Sequence, residues 1–240
     1  MKKPILIIFS LLLALTGGCS INDNDKNTTN DNKTEAVKPK DMDPKDLPQV
    51  PAFQDEKTRE YMVSTKEAEP GYYVLESKLK GFRMLFPADG EYSSYLSGRD
   101  ENEEIIAFDS YDKSKNKVIN AQIEYYQGTS FINTPKTMLE QVSSENGYKG
   151  KFEKLENEDK DIYIAHKKNH FQNEKNKYNF SYRYFGYMKS PKKKQAGIVF
   201  SFMFRCPNHE KPCTLDQDHL GDQVKKQMKS ITFLDHKQEK

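Results

Sequence analysis

Two cysteines near the C-terminus carry the most pointed chemistry in this sequence. Cys206 and Cys213 bracket Pro207, Asn208, His209, Glu210, Lys211 and Pro212. Thiols at this spacing have three chemistries open to them. They can join in a disulfide, worth roughly 2–3 kcal/mol for so short a loop in the chain-entropy account. They can ligate zinc, with His209 and, further on, His219 as nitrogen ligands. They can also stay free. The Cys-x2-His-x3-Cys order is not among the usual structural zinc spacings, and Cys-x6-Cys lacks the close spacing of a thioredoxin-like redox pair. Two prolines and an asparagine in the loop favour a compact turn, which points to the disulfide.

Other reactive groups are thinly spread. His166 ends an apolar run and His170 sits among polar residues, so both read as solvated histidines. The acidic run Asp100, Glu101, Asn102, Glu103 and Glu104 lacks the ligand series and glycine turn of a calcium loop and reads as a solvated loop. Lys192, Lys193 and Lys194 could meet anionic lipid or wall polymer, but a solvated hairpin tip is the plainer reading. Tyr178, Tyr182 and Tyr184 alternate on one side of a strand; they could stack on sugars, yet they fit a sheet face under a helix better. There is no Gly-x-Ser-x-Gly elbow and no phosphate-cradling Gly-x4-Gly-Lys loop. The reading therefore names no catalytic residue, no cofactor and no resident metal, and leans away from an enzyme.

The N-terminus says where such a domain lives. Lys2 and Lys3 precede an apolar run from Ile5 to Leu15, followed by Thr16, Gly17, Gly18 and Cys19. A charged start, a short apolar core and small residues at a cleavage point make a secretory signal. The run spans only about 16 Å as a helix, too short for a hydrocarbon core of roughly 30 Å. Gly17-Gly18-Cys19 resembles the lipobox of bacterial lipoproteins. That resemblance implies cleavage before Cys19, lipid on its thiol, and a protein held on the extracytoplasmic face of a bacterial membrane. Export also places Cys206 and Cys213 in an oxidising compartment.

Composition narrows the rest. The chain has 240 residues, with 38 Lys and Arg against 36 Asp and Glu, so charge gives no reason to expect a nucleic-acid partner. Mean hydropathy is low, at −0.92. Residues 22–33 contain no apolar side chain, and Pro39, Pro44, Pro48 and Pro51 follow. Such a stretch cannot offset the entropy of ordering it, so residues 19–53 are expected to form a disordered tether. Residues 1–18 are the signal, and 54–240 form one domain.

Within that domain the periodicities are legible. A short helix is expected over 55–62. Strands at 72–77 and 81–87 form a hairpin, with Phe82, Met84 and Phe86 on one face. A second hairpin joins 104–111 and 118–126. A helix starts at Thr134-Pro135 and stops at Gly147. Short strands follow near Phe152 and Leu155 and over 161–167, and the polar stretch 168–177 reads as a loop. Strong strands run from Tyr178 to Tyr184 and over 196–204. A last helix begins at Thr214, with Gln217 completing a capping box, and buries Leu220, Val224, Met228 and Ile231.

This order of elements resembles the PsbP/Mog1 superfamily over roughly residues 71–234. The features that carry it are the early strand Gly81-Phe82-Arg83-Met84-Leu85-Phe86-Pro87 and the mid-chain helix over 135–146. The later run Gly197-Ile198-Val199-Phe200-Ser201-Phe202 and the helix leading into Met228-Lys229-Ser230-Ile231-Thr232-Phe233 complete it. The resemblance implies an α+β fold, an antiparallel β-sheet flanked by helices as an α/β/α sandwich. It implies binding and assembly more than catalysis. The expected protein is a lipid-anchored, non-catalytic component of the cell envelope, its partner an envelope protein or polymer. An envelope-acting enzyme is the first alternative, and the solute-binding component of a transporter the second.

Overall fold

The computed structural model describes residues 37–171, 180–193, 195–208 and 210–235. The signal, Cys19, His209 and Tyr178 lie outside these residues.

The alternating runs become one large antiparallel sheet. Its strands are β3 (Gly90–Tyr92), β4 (Gly98–Arg99), β5 (Glu103–Asp112), β6 (Lys117–Gln127), β7 (Glu153–Leu155), β8 (Asp161–His170), β9 (Phe180–Lys189) and β10 (Ala196–Arg205). They lie in the order β3-β5-β6-β10-β9-β8-β7, with β4 beside β5. A smaller antiparallel sheet holds β1 (Tyr72–Glu76), β2 (Phe82–Pro87) and β11 (Thr232–Phe233), with β2 in the middle. The predicted hairpins are those of β1 with β2 and β5 with β6. β8 runs on to His170, so the first residues of the expected polar loop pair with β9.

The large sheet is covered on both faces. On one face, Phe108, Ile123, Phe200, Phe202 and Phe204 pack with Phe82, Met84 and Phe86 of the small sheet. Leu220, Val224 and Met228 of α4 (Gln217–Ser230) join the same core, as their helical spacing required. On the other face, α3 (Pro135–Asn146) brings Met138 and Val142 onto Phe185, Tyr187 and Val199. Adjacent residues of β9 thus serve opposite cores: Tyr184 faces α4 and Phe185 faces α3.

Helix ends follow local chemistry. Pro135 starts α3, and Gly147 closes it at φ 54°, a left-handed position suited to glycine. The start of α4 differs from expectation. Its N-cap is Asp216, whose carboxylate accepts the His219 N–H at 2.8 Å. Thr214 and Leu215 stay outside the helix, because a carboxylate cap two residues on satisfies the first-turn donors.

The folded unit also begins earlier than residue 54. Leu47, Ala52 and Phe53 are buried in the main core. The Ala52 N–H donates to the Ala88 carbonyl at 3.0 Å, and the Phe53 ring meets Tyr73 edge-on at 4.6 Å. The prolines that suggested broken, extended chain instead open short helical turns. Pro39 and Pro44 start 3-10 turns, and Pro51 starts α1 (Pro51–Gln54). Their fixed φ and missing N–H suit that position. Residues 37–53 therefore belong to the domain, and the expected boundary at 53/54 moves to Val37.

Candidate functional site: a basic cleft at the turn between β1 and β2

The turn joining β1 to β2 is fastened from two sides. The buried Ser77 hydroxyl oxygen accepts the N–H of Gly81 at 2.8 Å and that of Phe82 at 3.3 Å. From the large sheet, the carboxylate of Glu104 accepts the N–H of Lys78 at 3.0 Å and that of Leu79 at 2.9 Å. Lys80 takes a left-handed backbone at φ 56° to close the turn. Gly81 lies against the Tyr125 ring, where a Cβ would collide. As the last acid of the run 100–104, Glu104 is expected in a solvated loop. It is fully buried in β5. Asp100 does behave as a loop residue, accepting the N–H of Asn102 and of Glu103.

This fixed turn presents Lys78 and Lys80 to a cleft of about 490 Å³. Arg83 of β2, Arg99 of β4, and Lys38 and Lys40 at the start of the folded unit complete its cationic wall. Among the described residues, the only carboxylates in the lining are Glu60 and Glu76. α2 (Glu56–Arg59) positions Glu60, and the Asp55 carboxylate caps that helix through the Thr58 N–H at 2.7 Å. Glu60 pairs with Lys78, and also with Lys57 at 3.0 Å. Glu76 pairs with Lys80 at 2.5 Å and Arg83 at 2.6 Å.

The electrostatics follow from these contacts. Hydrogen bonds from Lys78 and Lys57 hold the Glu60 carboxyl below its ordinary range. Burial works to raise Glu76, but the hydrogen bonds from Lys80 and Arg83 outweigh it and leave the carboxyl lowered. Both acids are committed to cations at neutral pH. Lys38, Lys40 and Arg99 are exposed, and among the described residues no carboxylate lies within ion-pair distance of them. Six cations against two carboxylates make a cleft that attracts anions.

The residues singled out from sequence fall elsewhere. Cys206 and Cys213 are joined in a disulfide with Cα atoms 6.0 Å apart. A neighbouring hairpin holds their loop: the Asn116 side chain donates to the carbonyls of Asn208 and Lys211 and accepts the Asn208 N–H. Thiols bonded to each other have no thiolate to offer zinc. His219 is exposed at the start of α4, and among the described residues no group of three or more His, Cys, Asp or Glu side chains could hold a metal ion. His166 is exposed and His170 likewise, with aromatic neighbours in Tyr184 and Phe180. Tyr184 lies buried under α4, its hydroxyl donating to the Gln217 carbonyl, while Tyr182 is half-buried. At the hairpin tip, Lys192 pairs with Asp159 at 3.4 Å and Lys193 with Asp235 at 3.3 Å.

The cleft was missed from sequence because its cations come from three separate stretches, residues 38–40, 78–83 and 99, none of them a run. A weak signal did exist: Lys78, Lys80 and Arg83 alternate with apolar residues around a turn.

A family model described as "Putative lipoprotein YvcA" matches residues 48–232. The protein described as "Putative lipoprotein YvcA" from Bacillus subtilis (strain 168) is 61% identical over 241 residues, covering 100% of both chains. Among solved structures, the Ran-binding protein Mog1p of Saccharomyces cerevisiae aligns with 68% of this chain and 96% of its own. The identity there is 9% and the TM-score 0.42. With a family model spanning most of the chain and a relative this similar along its whole length, the protein belongs to the family described as "Putative lipoprotein YvcA".

Proposed function

We propose that this protein is a lipid-anchored component of the extracytoplasmic face of a bacterial membrane, and that its domain binds or assembles envelope material rather than catalysing a reaction. Cys19, behind Gly17 and Gly18, carries the lipid. A diacyl anchor gives the stable attachment that one chain does not. The lipoprotein descriptions of the family and of its Bacillus relative support this reading.

The observation that carries the binding reading is the cleft. Its two acids are already paired, and Lys38, Lys40 and Arg99 remain to meet an outside anion. Envelope material that carries anionic groups is the partner this chemistry recognises.

Two variants test the two halves. Cys19→Ala should release the protein to the medium or leave it unprocessed; a processed variant that stays on the membrane contradicts the anchor. The Lys38→Glu/Lys40→Glu/Arg99→Glu chain should lose most capture of envelope material relative to the unchanged chain. Equal capture by both contradicts the cleft as the site.

A further inference from the structure

The surroundings of the cleft narrow its partner. Three of the six exposed large apolar side chains among the described residues lie within four residues of a cleft cation. Val37 is next to Lys38, and Tyr95 and Leu96 lead into Arg99. Tyr95 is 94% exposed and Leu96 57%.

These two side chains are held out deliberately by the fold. Both ends of their loop are fastened to one residue of β5. The Ser93 N–H donates to the Ala107 carbonyl at 2.8 Å. The Ser97 hydroxyl accepts the Ala107 N–H at 2.8 Å and donates to the Ala107 carbonyl at 3.3 Å. Within the loop, the Leu96 N–H closes a turn on the Ser93 carbonyl at 3.2 Å. A tyrosine and a leucine are thus held in water on a tight loop that leads into Arg99, a cleft cation with no ion pair among the described residues.

A soluble phosphate uses the cations and gains nothing from the loop. A bilayer surface uses both. Its phosphates attract lysine and arginine, and its headgroup layer accepts tyrosine and leucine. We propose that the cleft and the 93–98 loop seat the domain on an anionic phospholipid surface, with Lys38, Lys40 and Arg99 on lipid phosphates and Tyr95 and Leu96 in the headgroup layer. The proposal rests on the cleft being an anion site and goes further in naming the bilayer as partner. Geometry permits it: the chain between Cys19 and Lys38 can place the cleft no farther than about 65 Å from an anchored Cys19, even fully extended.

The test removes the anchor so that only the domain can bind. Residues 20–240 contain the whole folded unit from Val37 onward. This chain is sedimented with vesicles of phosphatidylcholine alone and with phosphatidylglycerol added, at low and high salt. It should bind only the anionic vesicles, and less at high salt. Lys38→Gln/Lys40→Gln/Arg99→Gln should weaken binding about a hundredfold, at about fivefold for each charge. Tyr95→Ser/Leu96→Ser should weaken it about tenfold. A control, Lys136→Gln/Lys149→Gln/Lys151→Gln, removes the same charge near α3 and should change binding by less than about threefold. All these side chains are exposed, so unchanged melting temperatures confirm intact folds.

Binding equal on both vesicle types overturns the proposal, as does an equal loss in the control or no loss on changing Tyr95 and Leu96. If anionic vesicles are ignored while tripolyphosphate raises the melting temperature, the site is for a soluble polyanion and the bilayer proposal falls. If vesicles are ignored but cleft-dependent capture of envelope material persists, the bilayer proposal falls and the broader binding reading stands.

Discussion

The buried carboxylate of Glu104 accepts the backbone N–H of Lys78 at 3.0 Å, while the Lys78 ammonium reaches outward to Glu60. One acid in the large sheet thus sets the backbone of the turn, and a second acid, beside α2, sets the side chain that leaves it. The same ammonium lies 4.5 Å from the centre of the Tyr61 ring. The cationic wall of the cleft is therefore positioned from the core.

Glu104→Gln tests this positioning. The amide keeps one acceptor but turns a donor toward the N–H of Lys78 or Leu79. Losing one charge-assisted hydrogen bond and burying an unmatched donor should cost about 2 kcal/mol. Urea denaturation measures it. A loss below about 0.5 kcal/mol would mean that the turn does not depend on the carboxylate.

Lys160 offers a second structural test. It is 5% exposed, and its ammonium donates to the Lys229 carbonyl at 3.0 Å and to that of Ile231. These are the carbonyls at the C-terminal end of α4, where a cation is favoured. Burial lowers the ammonium's pKa, and the nearby Asp159 carboxylate opposes the shift without cancelling it. Lys160→Met should cost about 1–3 kcal/mol and speed hydrogen exchange in the last turn of α4. Unchanged exchange there would show that the helix end is held by packing alone.

On the α3 side of the sheet, Glu124 accepts the Gln122 side-chain amide at 2.8 Å and the Tyr126 hydroxyl at 3.0 Å. Burial raises its pKa, with Glu145 and Glu103 adding to the shift and the Tyr126 hydrogen bond opposing it. The folded state then holds the Glu124 proton more tightly than the unfolded chain does. That stabilisation is complete below the ordinary glutamate pKa and is lost as pH rises through the raised value. Glu124→Gln, neutral throughout, should melt above the wild type near about pH 7, with the gap closing toward about pH 4. A gap that widens on acidification would reverse the assigned sign.

The disulfide is checked by mass and by stability. Reduction of the purified chain should add about 2 Da, and Cys206→Ser/Cys213→Ser should cost about 2–3 kcal/mol. Two free thiols with one bound zinc per chain would replace the disulfide with a metal site.

The sheets were legible in the sequence because the period-two runs of β2 and β10 each bury one face completely, through Phe82, Met84 and Phe86 and through Ile198, Phe200, Phe202 and Phe204. Leu220, Val224 and Met228 showed α4 for the same reason, at helical period. Residues 37–53 hid because four buried residues, Pro39, Leu47, Ala52 and Phe53, are too few to make a period. Thr214 with Gln217 satisfied a capping-box pattern, yet Asp216 was the better acceptor in place. Glu104 looked like one more acid in a run; only the approach of the Lys78–Leu79 backbone gives it a reason to be buried. The cleft depends on side chains brought together from residues 38–40, 60–63, 76–83 and 99, and no local pattern records that meeting.

The most direct test of the cleft as the working surface is hydrogen exchange on the full chain anchored in isolated membranes, compared with residues 20–240 free in solution. Slowed exchange should appear at residues 38–40, 78–83 and 95–99. The α3 region, on the opposite face of the sheet, should exchange alike in both states. Protection at α3 with none at the cleft would contradict the account.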